Sequence, residues 1–260
     1  MFKFQYALVL LLLMSISCKD EQTNKTTVSQ TTEKFTDAAV DKTSFKLTPV
    51  SHASMMLEIN GTTIYVDPVG ETSKYEGIPG LVLVTDFHGD HFNQEVIGLK
   101  SSGETVIMMP QACSDKLDGE LPGNLTILNN GDTKKYKDIS VTAIPMYNLR
   151  EEDKNKHVKG RGNGYVIESD GMRIYISGDT EDIPEMRALK DIDIAFVCMN
   201  LPYTMTVEAA ADAVLEFAPK TVYPYHYRGA NGKSDVAKFK SLVNAGNKDI
   251  TVTQLDWYAE

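Results

Sequence analysis

The chain of 260 residues has little cysteine, which limits the kinds of site that it can form. Of its three cysteines, Cys113 and Cys198 fall in segments that predict a helix start and a buried strand, and neither has metal-site spacing. We therefore expect two inert buried thiols, with a disulfide between them as the alternative. A cysteine-based metal site is excluded by the same spacing.

The chain also has no excess of basic charge. Its 36 Asp and Glu outnumber its 26 Lys and Arg, and the net charge is −10. This sign opposes long-range attraction to nucleic acid and to anionic membrane surfaces, although a local basic loop can still bind an anionic group. We expect a small-molecule or lipid substrate and no nucleic-acid partner, while the oligomeric state stays open. The length suits one large α/β domain in preference to two small ones.

The apolar run near the N-terminus is too short to form a stable membrane span. Residues 6–14 form this run, Lys3 precedes it, and small residues lead up to Cys18. This arrangement is typical of a processing segment. It resembles a bacterial lipoprotein signal with Cys18 as the lipidated first residue of the mature chain. The alternative is an ordinary signal peptide that is cut near Ser17.

The segment that follows Cys18 is too polar to form a core. Residues 19–43 are rich in Thr, Lys, Gln, Asp and Glu. We predict a lipoprotein signal peptide at 1–17, a flexible tether at 18–43 and a folded domain at 44–260. This organisation places the protein in the bacterial cell envelope, periplasmic or on the cell surface, and held to the membrane only by lipid on Cys18.

The densest group of chemically reactive side chains follows a short aliphatic run. Residues 81–84 predict a buried strand, and Asp86, His88, Asp90 and His91 come directly after it. In α/β folds, ligands bind where strands end. Carboxylates and imidazoles at this density predict a transition-metal site. The alternative is a polar turn with incidental histidines.

Two similar hairpins predict an internal repeat. Residues 54–59 and 62–66 are β-rich and are joined by Asn60-Gly61, a strong hairpin signal. About a hundred residues later, 165–169 and 172–176 flank Asp170-Gly171 in the same way. Each hairpin runs into a carboxylate, Asp67 or Asp179. We therefore expect two related half-domains that share a cleft.

Helix and strand patterns alternate along the rest of the chain, with one long charged loop at 145–164 that we expect to be mobile and either functional or disordered. The predicted helices are 94–101, 111–117, 183–190, 234–245 and one that Thr206 caps and Pro219 closes. The predicted strands are 105–108, 139–144, 192–197, 221–224 and 250–254.

The motif Asp86-x-His88-x-Asp90-His91 resembles the HxHxDH signature of the metallo-β-lactamase fold superfamily. Asp86 replaces the first histidine of that signature, which points to an altered metal preference. The resemblance covers about residues 46–256. It implies an α/β fold, the αββα four-layer sandwich built from two related halves.

The resemblance also implies two metal positions. One would use Asp90, His91, the bridging carboxylate Asp179 and the last histidine, His226. The alternatives are a capping carboxylate before the next helix for Asp179 and a core imidazole between two tyrosines for His226. We expect one or two divalent transition-metal ions, zinc first, with manganese or iron as alternatives.

The second position would use Asp86, His88, Asp179 and a histidine near residue 148. Asn148 occupies that place and is a poor ligand, so His157 is the candidate substitute, with a solvated loop histidine as the alternative. His52 resembles the Gly-His-Ala opening of a branch that includes ascorbate-6-phosphate lactonase and phospholipase-D-like enzymes acting on N-acyl phospholipids. We expect His52 either to line the pocket or to be an ordinary buried histidine.

The implied activity is hydrolysis of an ester, lactone, amide or phosphodiester by metal-activated water. Asp90 and His226 are the expected catalytic residues, Asp90 orienting the nucleophile and His226 near the developing oxyanion. A non-catalytic binding protein on a degenerate hydrolase fold is the alternative, because Asp86 and Asn148 depart from the signature. A β-lactamase is a weaker one. The aromatic residues that we expect mostly in the core are Tyr147, Tyr203, Tyr225, Tyr227 and Trp257.

Overall fold

The computed structural model describes residues 44–258, which form two mixed β-sheets flanked by helices. The predicted signal peptide, the predicted lipidation site at Cys18 and the predicted tether lie outside the described residues. Within residues 44–258, no helix has both the length and the apolar character that crossing a bilayer requires.

The first sheet has six strands that lie side by side in chain order. They are β1 (Phe45–Ser51), β2 (Ser54–Ile59), β3 (Thr62–Val66), β4 (Leu81–Leu83), β5 (Val106–Met109) and β6 (Asn124–Ile127). Neighbours are antiparallel from β1 to β3 and parallel from β3 to β6.

The second sheet has seven strands, and a small hairpin follows its sixth strand. The strands of the second half are β7 (Thr133–Tyr136), β8 (Ile139–Met146), β9 (Gly162–Ser169), β10 (Met172–Ile176), β11 (Ile194–Cys198), β12 (Thr221–Tyr225), the hairpin β13 (Arg228–Gly229) and β14 (Gly232–Lys233), and β15 (Thr251–Val252). The order across the sheet is β15-β12-β11-β10-β9-β8-β7.

The helices are α1 (Gln94–Lys100), α2 (Gln111–Ser114), α3 (Pro184–Arg187), α4 (Val207–Phe217) and α5 (Val236–Gly246), with a 3₁₀ turn at Thr72–Lys74. The predicted cap of α4 is confirmed, because the Thr206 hydroxyl accepts from the backbone N–H of Ala209. The predicted α2 and α3 were too long. Each is a single turn of four residues.

The two sheets repeat one topology, as the sequence predicted. Strands β8, β9, β10, β11, β12 and β15 pair with the same alternation of antiparallel and parallel neighbours as β1 to β6. Both hairpin turns have positive φ at their two central residues, 49° and 75° at Asn60-Gly61 and 47° and 83° at Asp170-Gly171. The turns touch, since Asn60 Nδ2 donates to Asp170 Oδ2 at 3.0 Å. The predicted sandwich of two related halves is confirmed.

Strand β4 is buried on both faces, which explains its continuously apolar sequence. Leu81 and Leu83 face the core between the sheets, whereas Val82 and Val84 face the outer layer with Val96 of α1. Successive side chains of a strand point to opposite faces, so a strand that is covered on both sides needs apolar residues throughout. The predicted buried strand is confirmed, and it delivers the polar motif to the end of the sheet.

The charged loop is shorter than expected. Strand β8 continues to Met146 and β9 begins at Gly162, which leaves 147–161 as the loop. Its side chains at Asn148, Asp153 and His157 are buried, so part of the loop packs against the domain. The polar composition is explained by contacts with the cleft that the loop covers.

The strands β1, β6 and β7 were not predicted, because each is short or lies at a sheet edge with half-exposed residues. The two predicted buried thiols, Cys113 and Cys198, are confirmed as free cysteines. Of the aromatic residues, three are buried and Tyr203 is 38% exposed. The buried three are Tyr225, Tyr227 and Trp257.

Candidate metal centre

The candidate site lies where β4, β10 and β12 end. Asp86 follows β4, Asp179 follows β10 and His226 directly follows β12. His226 has a left-handed backbone, with φ of 44°, which is uncommon for a residue with a side chain and typical of functional positions. All five histidines of the chain lie in or beside this site.

The first ligand group consists of Asp90, His91 and His226, whose nearest ligand atoms lie within 4.8 Å of one another. His91 Nε2 and His226 Nε2 are 3.2 Å apart. Each is also 3.3 Å from an oxygen of Asp179, and His226 Nε2 is 3.4 Å from Asp90 Oδ2. The four residues that the resemblance assigned to one metal position therefore converge.

The second ligand group consists of Asp86, His88 and His157. His88 Nδ1 is 2.6 Å from Asp86 Oδ2. His157 Nε2 is 3.3 Å from Asp179 Oδ2, so Asp179 lies between the two groups. His157 is only 2% exposed, which makes the alternative of a solvated loop histidine wrong.

Asn148 orients His157 and is not itself placed as a ligand. Its side-chain oxygen lies 2.6 Å from His157 Nδ1, and its amide donates to the backbone oxygen of Tyr203 at 2.8 Å. Because Nδ1 of His157 is engaged in this way, Nε2 faces the ligand groups. The structure thus brings His157, nine residues after Asn148, to the candidate group with Asp86 and His88.

Asp67 orients His91 in the same manner. His91 Nδ1 donates to Asp67 Oδ2 at 2.9 Å, and Asp67 also accepts from the backbone N–H and the hydroxyl of Thr85. Burial raises the pKa of Asp67, although His91 and Thr85 act in the opposite direction. This role of Asp67 was not predicted, because the residue was expected only at the end of a hairpin. Its correspondence with Asp179 in the repeat was the available signal.

The electrostatics of the site favour ionised carboxylates. Burial alone raises the pKa of Asp179, but the imidazoles of His226 and His91 outweigh it and hold that pKa well below its ordinary range. The pKa of Asp90 is lowered too, because partial burial, which raises it, is outweighed by the combined interactions with His226 and His91. The centre therefore presents negative charge to a cation.

His52 lies beside the first ligand group and outside it. Its ring meets that of His226 edge to face, with centroids 5.4 Å apart, and its Nε2 is 2.6 Å from Arg228 Nη2. Burial lowers the pKa of His52 to about 4, and the neighbouring His226 and Arg228 act in the same direction. His52 is therefore a neutral packing neighbour of the His226 ring.

Asn200 and Arg161 lie at the site and were not predicted to do so. Asn200 follows β11 and directs Nδ2 at Asp179 Oδ2 and His226 Nε2, at 3.4 and 3.3 Å. Thr204 fixes this amide by donating to Asn200 Oδ1 at 2.6 Å. Arg161, at the end of the charged loop, has Nη2 3.3 Å from Asp86 Oδ2. Neither has a sequence signal, because both depend on contacts far along the chain.

A cleft of about 410 Å³ opens over the two ligand groups. It is lined by members of both groups together with Asn155, Lys156, Asn200 and Tyr203. Asp90, whose side chain is 45% exposed, faces this opening. A volume of this size suits a small organic molecule or part of a larger one.

The residues fit a divalent transition-metal ion. Imidazole nitrogen and carboxylate oxygen together form a donor set suited to zinc, manganese or iron. Asp86 Oδ1 and Asp179 Oδ1 are buried, and neither accepts a hydrogen bond from any described residue. Such lone pairs are costly to bury unless something binds them, and a cation would do so.

Comparison with known proteins gives the same family. Residues 46–226 match a family model described as a Beta-lactamase superfamily domain. A UPF0173 metal-dependent hydrolase of Methanopyrus kandleri is 27% identical over 223 residues, or 81% of this chain and 96% of the relative.

Solved structures agree with this family. A protein of Parabacteroides distasonis assigned to the metal-dependent hydrolases is 37% identical, with a TM-score of 0.74 over 82% of this chain and 93% of its own. A diiron β-hydroxylase of Streptomyces venezuelae shares the fold at 16% identity, with a TM-score of 0.61 over 82% of this chain and 53% of its own. Since the family model spans most of the chain and the ligand residues converge in the structure, the chain belongs to the metallo-β-lactamase superfamily.

Proposed function

We propose that the chain is a metal-dependent hydrolase that acts on an ester, lactone, amide or phosphodiester bond in a small molecule or lipid. The observation that supports this most strongly is the convergence of two ligand groups on Asp179 at the floor of an open cleft. Asp90, His91 and His226 would hold one ion, and Asp86, His88 and His157 a second. Zinc is the first choice, and the carboxylate at position 86 keeps manganese and iron as alternatives.

A divalent ion bound in such a centre would lower the pKa of a water molecule to near neutral, and it would also polarise the bond that this water attacks. The protein's own residues provide orientation. The Asp90 carboxylate faces the cleft, with Oδ2 3.4 Å from His226 Nε2, so it can orient a water molecule and take up its proton. The fixed amide of Asn200 donates toward the position between Asp179 and His226, where negative charge would develop on the substrate.

The test of this function is turnover together with metal content. Asp90→Asn should abolish hydrolysis of a panel of generic esters, lactones and phosphodiesters, because the amide lacks the charge and the proton acceptor. Circular dichroism should be unchanged. Full activity in Asp90→Asn would show that the assignment of Asp90 is wrong.

Elemental analysis of the purified protein distinguishes a centre that holds one metal ion from a centre that holds two. About two equivalents of metal, lowered by both Asp86→Ala and His91→Ala, would support a binuclear centre. One equivalent that is lost in His91→Ala and kept in Asp86→Ala would support a single ion in the first group. The absence of metal in the wild type would favour the alternative of a non-catalytic binding protein.

The binding-protein alternative arose from Asp86 and from the missing histidine at Asn148. The second of these reasons is weaker if His157, whose Nε2 lies 3.3 Å from Asp179 Oδ2, serves in place of that histidine. A β-lactamase remains the weaker alternative, since no described residue specifies a lactam. Hydrolysis of a chromogenic cephalosporin would test it directly.

We also propose that the mature chain is anchored in the cell envelope through lipid on Cys18. The support is the sequence alone, an apolar run followed by small residues and cysteine. Metabolic labelling with a radioactive fatty acid should mark the wild type and not Cys18→Ser. Equal labelling of both would exclude this anchor.

A further inference from the structure

Arg161 holds a permanent positive charge against the second ligand group. Its Nη2 is 3.3 Å from Asp86 Oδ2 and also donates to the backbone oxygen of Lys156. The guanidinium lies over the ring of Phe87, with 4.5 Å from its central carbon to the ring centroid. The side chain is 18% exposed. Three contacts therefore hold the guanidinium in place beside Asp86.

The two oxygens of Asp86 have different surroundings. Oδ2 faces both Arg161 and His88, whereas Oδ1 is buried and accepts no hydrogen bond from the described residues. A carboxylate held in this way keeps one oxygen for a cation while a neighbouring cation offsets its charge. The net charge of the Asp86 and Arg161 pair is zero.

The first ligand group has no such neighbour. Among residues 44–258, the ion pairs that Asp90 and Asp179 form are with histidines, and no lysine or arginine pairs with either carboxylate. The two groups share Asp179. Arg161 adds a positive charge beside the second group, whereas the Asp67 carboxylate, which contacts His91, lies beside the first. A fixed positive charge close to one of two cation positions weakens that position.

We propose that Arg161 offsets the charge of Asp86, so that the pair replaces the neutral histidine of the family signature and makes the second group the weaker cation site. This inference rests on the proposed function, because it requires that the centre binds metal. It makes Arg161 a positioning residue that sets how tightly the second ion is held. The charged loop thereby controls metal occupancy as well as covering the cleft.

The test is a zinc titration of the full-length, metal-stripped protein against a chromophoric chelator, which measures two dissociation constants without reference to activity. Arg161→Met removes the charge and keeps a similar length, and Arg161→Lys keeps the charge. We expect Arg161→Met to tighten the second dissociation constant by about tenfold or more, with the first unchanged. Arg161→Lys should stay near the wild type. If the wild type binds one zinc ion and Arg161→Met binds two, this also supports the inference, because the second site is then too weak to fill in the wild type.

An unchanged or weaker second constant in Arg161→Met would overturn the inference. If Arg161→Met loses the first ion as well, the variant has not folded correctly, and Arg161→Gln, which still donates to the Lys156 carbonyl, gives the same comparison. If the wild type binds no zinc, the proposed function fails and this inference fails with it. If the wild type binds zinc and both uncharged variants, Arg161→Met and Arg161→Gln, bind it with the same two constants, only the role of Arg161 is wrong.

A double variant tests the charge argument independently. Asp86→His leaves Arg161 without its carboxylate partner. The affinity for the second zinc ion should therefore fall by about tenfold or more, or the second ion should not bind at all. Adding Arg161→Met to Asp86→His should restore it, because the histidine of the signature then faces no cation. Equal zinc binding in Asp86→His and in the double variant would contradict the inference.

Discussion

Asp67 determines which nitrogen of His91 faces the ligand groups, and Asp67→Asn tests this. In the wild type, Asp67 Oδ1 accepts from the backbone N–H of Thr85 at 2.7 Å, and Oδ2 accepts from His91 Nδ1 at 2.9 Å. An asparagine side chain has a single acceptor oxygen in place of the two carboxylate oxygens. We expect it to keep the bond to the Thr85 N–H, which turns the amide NH₂ toward His91.

The amide would then donate to His91 Nδ1 and move the imidazole proton to Nε2. A protonated Nε2 has no lone pair for a metal ion, and the hydrogen bonds that orient ligand histidines are worth about 10–100-fold in metal affinity. That range corresponds to about 1.4–2.8 kcal/mol. The fold should survive, because the two side chains have nearly the same volume. Asp67→Ala would instead leave the buried Thr85 N–H without a partner and cost about 1–3 kcal/mol of stability.

The assay is the zinc titration combined with thermal unfolding of the zinc-free protein. Asp67→Asn should weaken the first dissociation constant by about 10–100-fold and change the melting temperature of the zinc-free protein little. Thr85→Val is the control, because it removes the hydroxyl with its bond to Asp67 and its 3.0 Å contact with His91 Nδ1, but keeps the Asp67 carboxylate that accepts the His91 proton. Zinc affinity in Asp67→Asn equal to that of the wild type would refute the reasoning about the tautomer.

Three further predictions concern catalysis, pH and packing. Asn200→Ala should lower kcat by about 10²–10³-fold with little change in KM, since it removes a fixed donor, and steady-state kinetics on any substrate found would show it. Tyr65→Phe should cost about 1 kcal/mol, because the hydroxyl donates to the backbone oxygens of Glu76 and Gly77. Burial raises the pKa of Tyr65 to about 12, above the unfolded value of 10.0, so this contribution is complete below pH 10 and lost as the pH rises through 12. Denaturant unfolding of both proteins across that range should show the difference closing, and a constant difference would contradict the assignment. Gly229→Ala would place Cβ 1.7 Å from the backbone oxygen of Leu201 and should destabilise the fold by about 1–3 kcal/mol, whereas Gly103→Ala, where the Cβ meets no atom within 4 Å, should change the melting temperature little.

The features that the sequence predicted correctly are local. Both hairpins begin and end where the turn dipeptides and the β-rich runs placed them, with only the start of β9 extended to Gly162. The strand at Leu81–Leu83 was identifiable because burial on both faces requires an unbroken apolar run. The ligand candidates that follow strands, Asp86 to His91 together with Asp179 and His226, were found because position and chemistry coincide in the chain.

The edges of the sheets were not predictable in this way. Strand β6 exposes half of its residues and β7 carries two exposed lysines, Lys134 and Lys135, so neither shows the alternation that marks a strand packed on a core. Their backbone pairing is decided by the neighbouring strand. A short helix such as α3 is overpredicted for the converse reason, since helical composition continues past the residue where tertiary contacts end the helix.

The sequence by itself determined the two hairpins, the apolar strand and the chemical character of the centre, because turn propensity, hydrophobic period and ligand type act between residues that are close in the chain. The tertiary structure alone decided which side chains surround those ligands. Asn148 directs His157, Asp67 directs His91 across 24 positions, and Arg161 reaches Asp86 across 75. These contacts leave no periodic trace, since a charged loop can bury a carboxylate partner or expose it to water with the same composition. Only the packing of the loop 147–161 against the strand ends distinguishes the two.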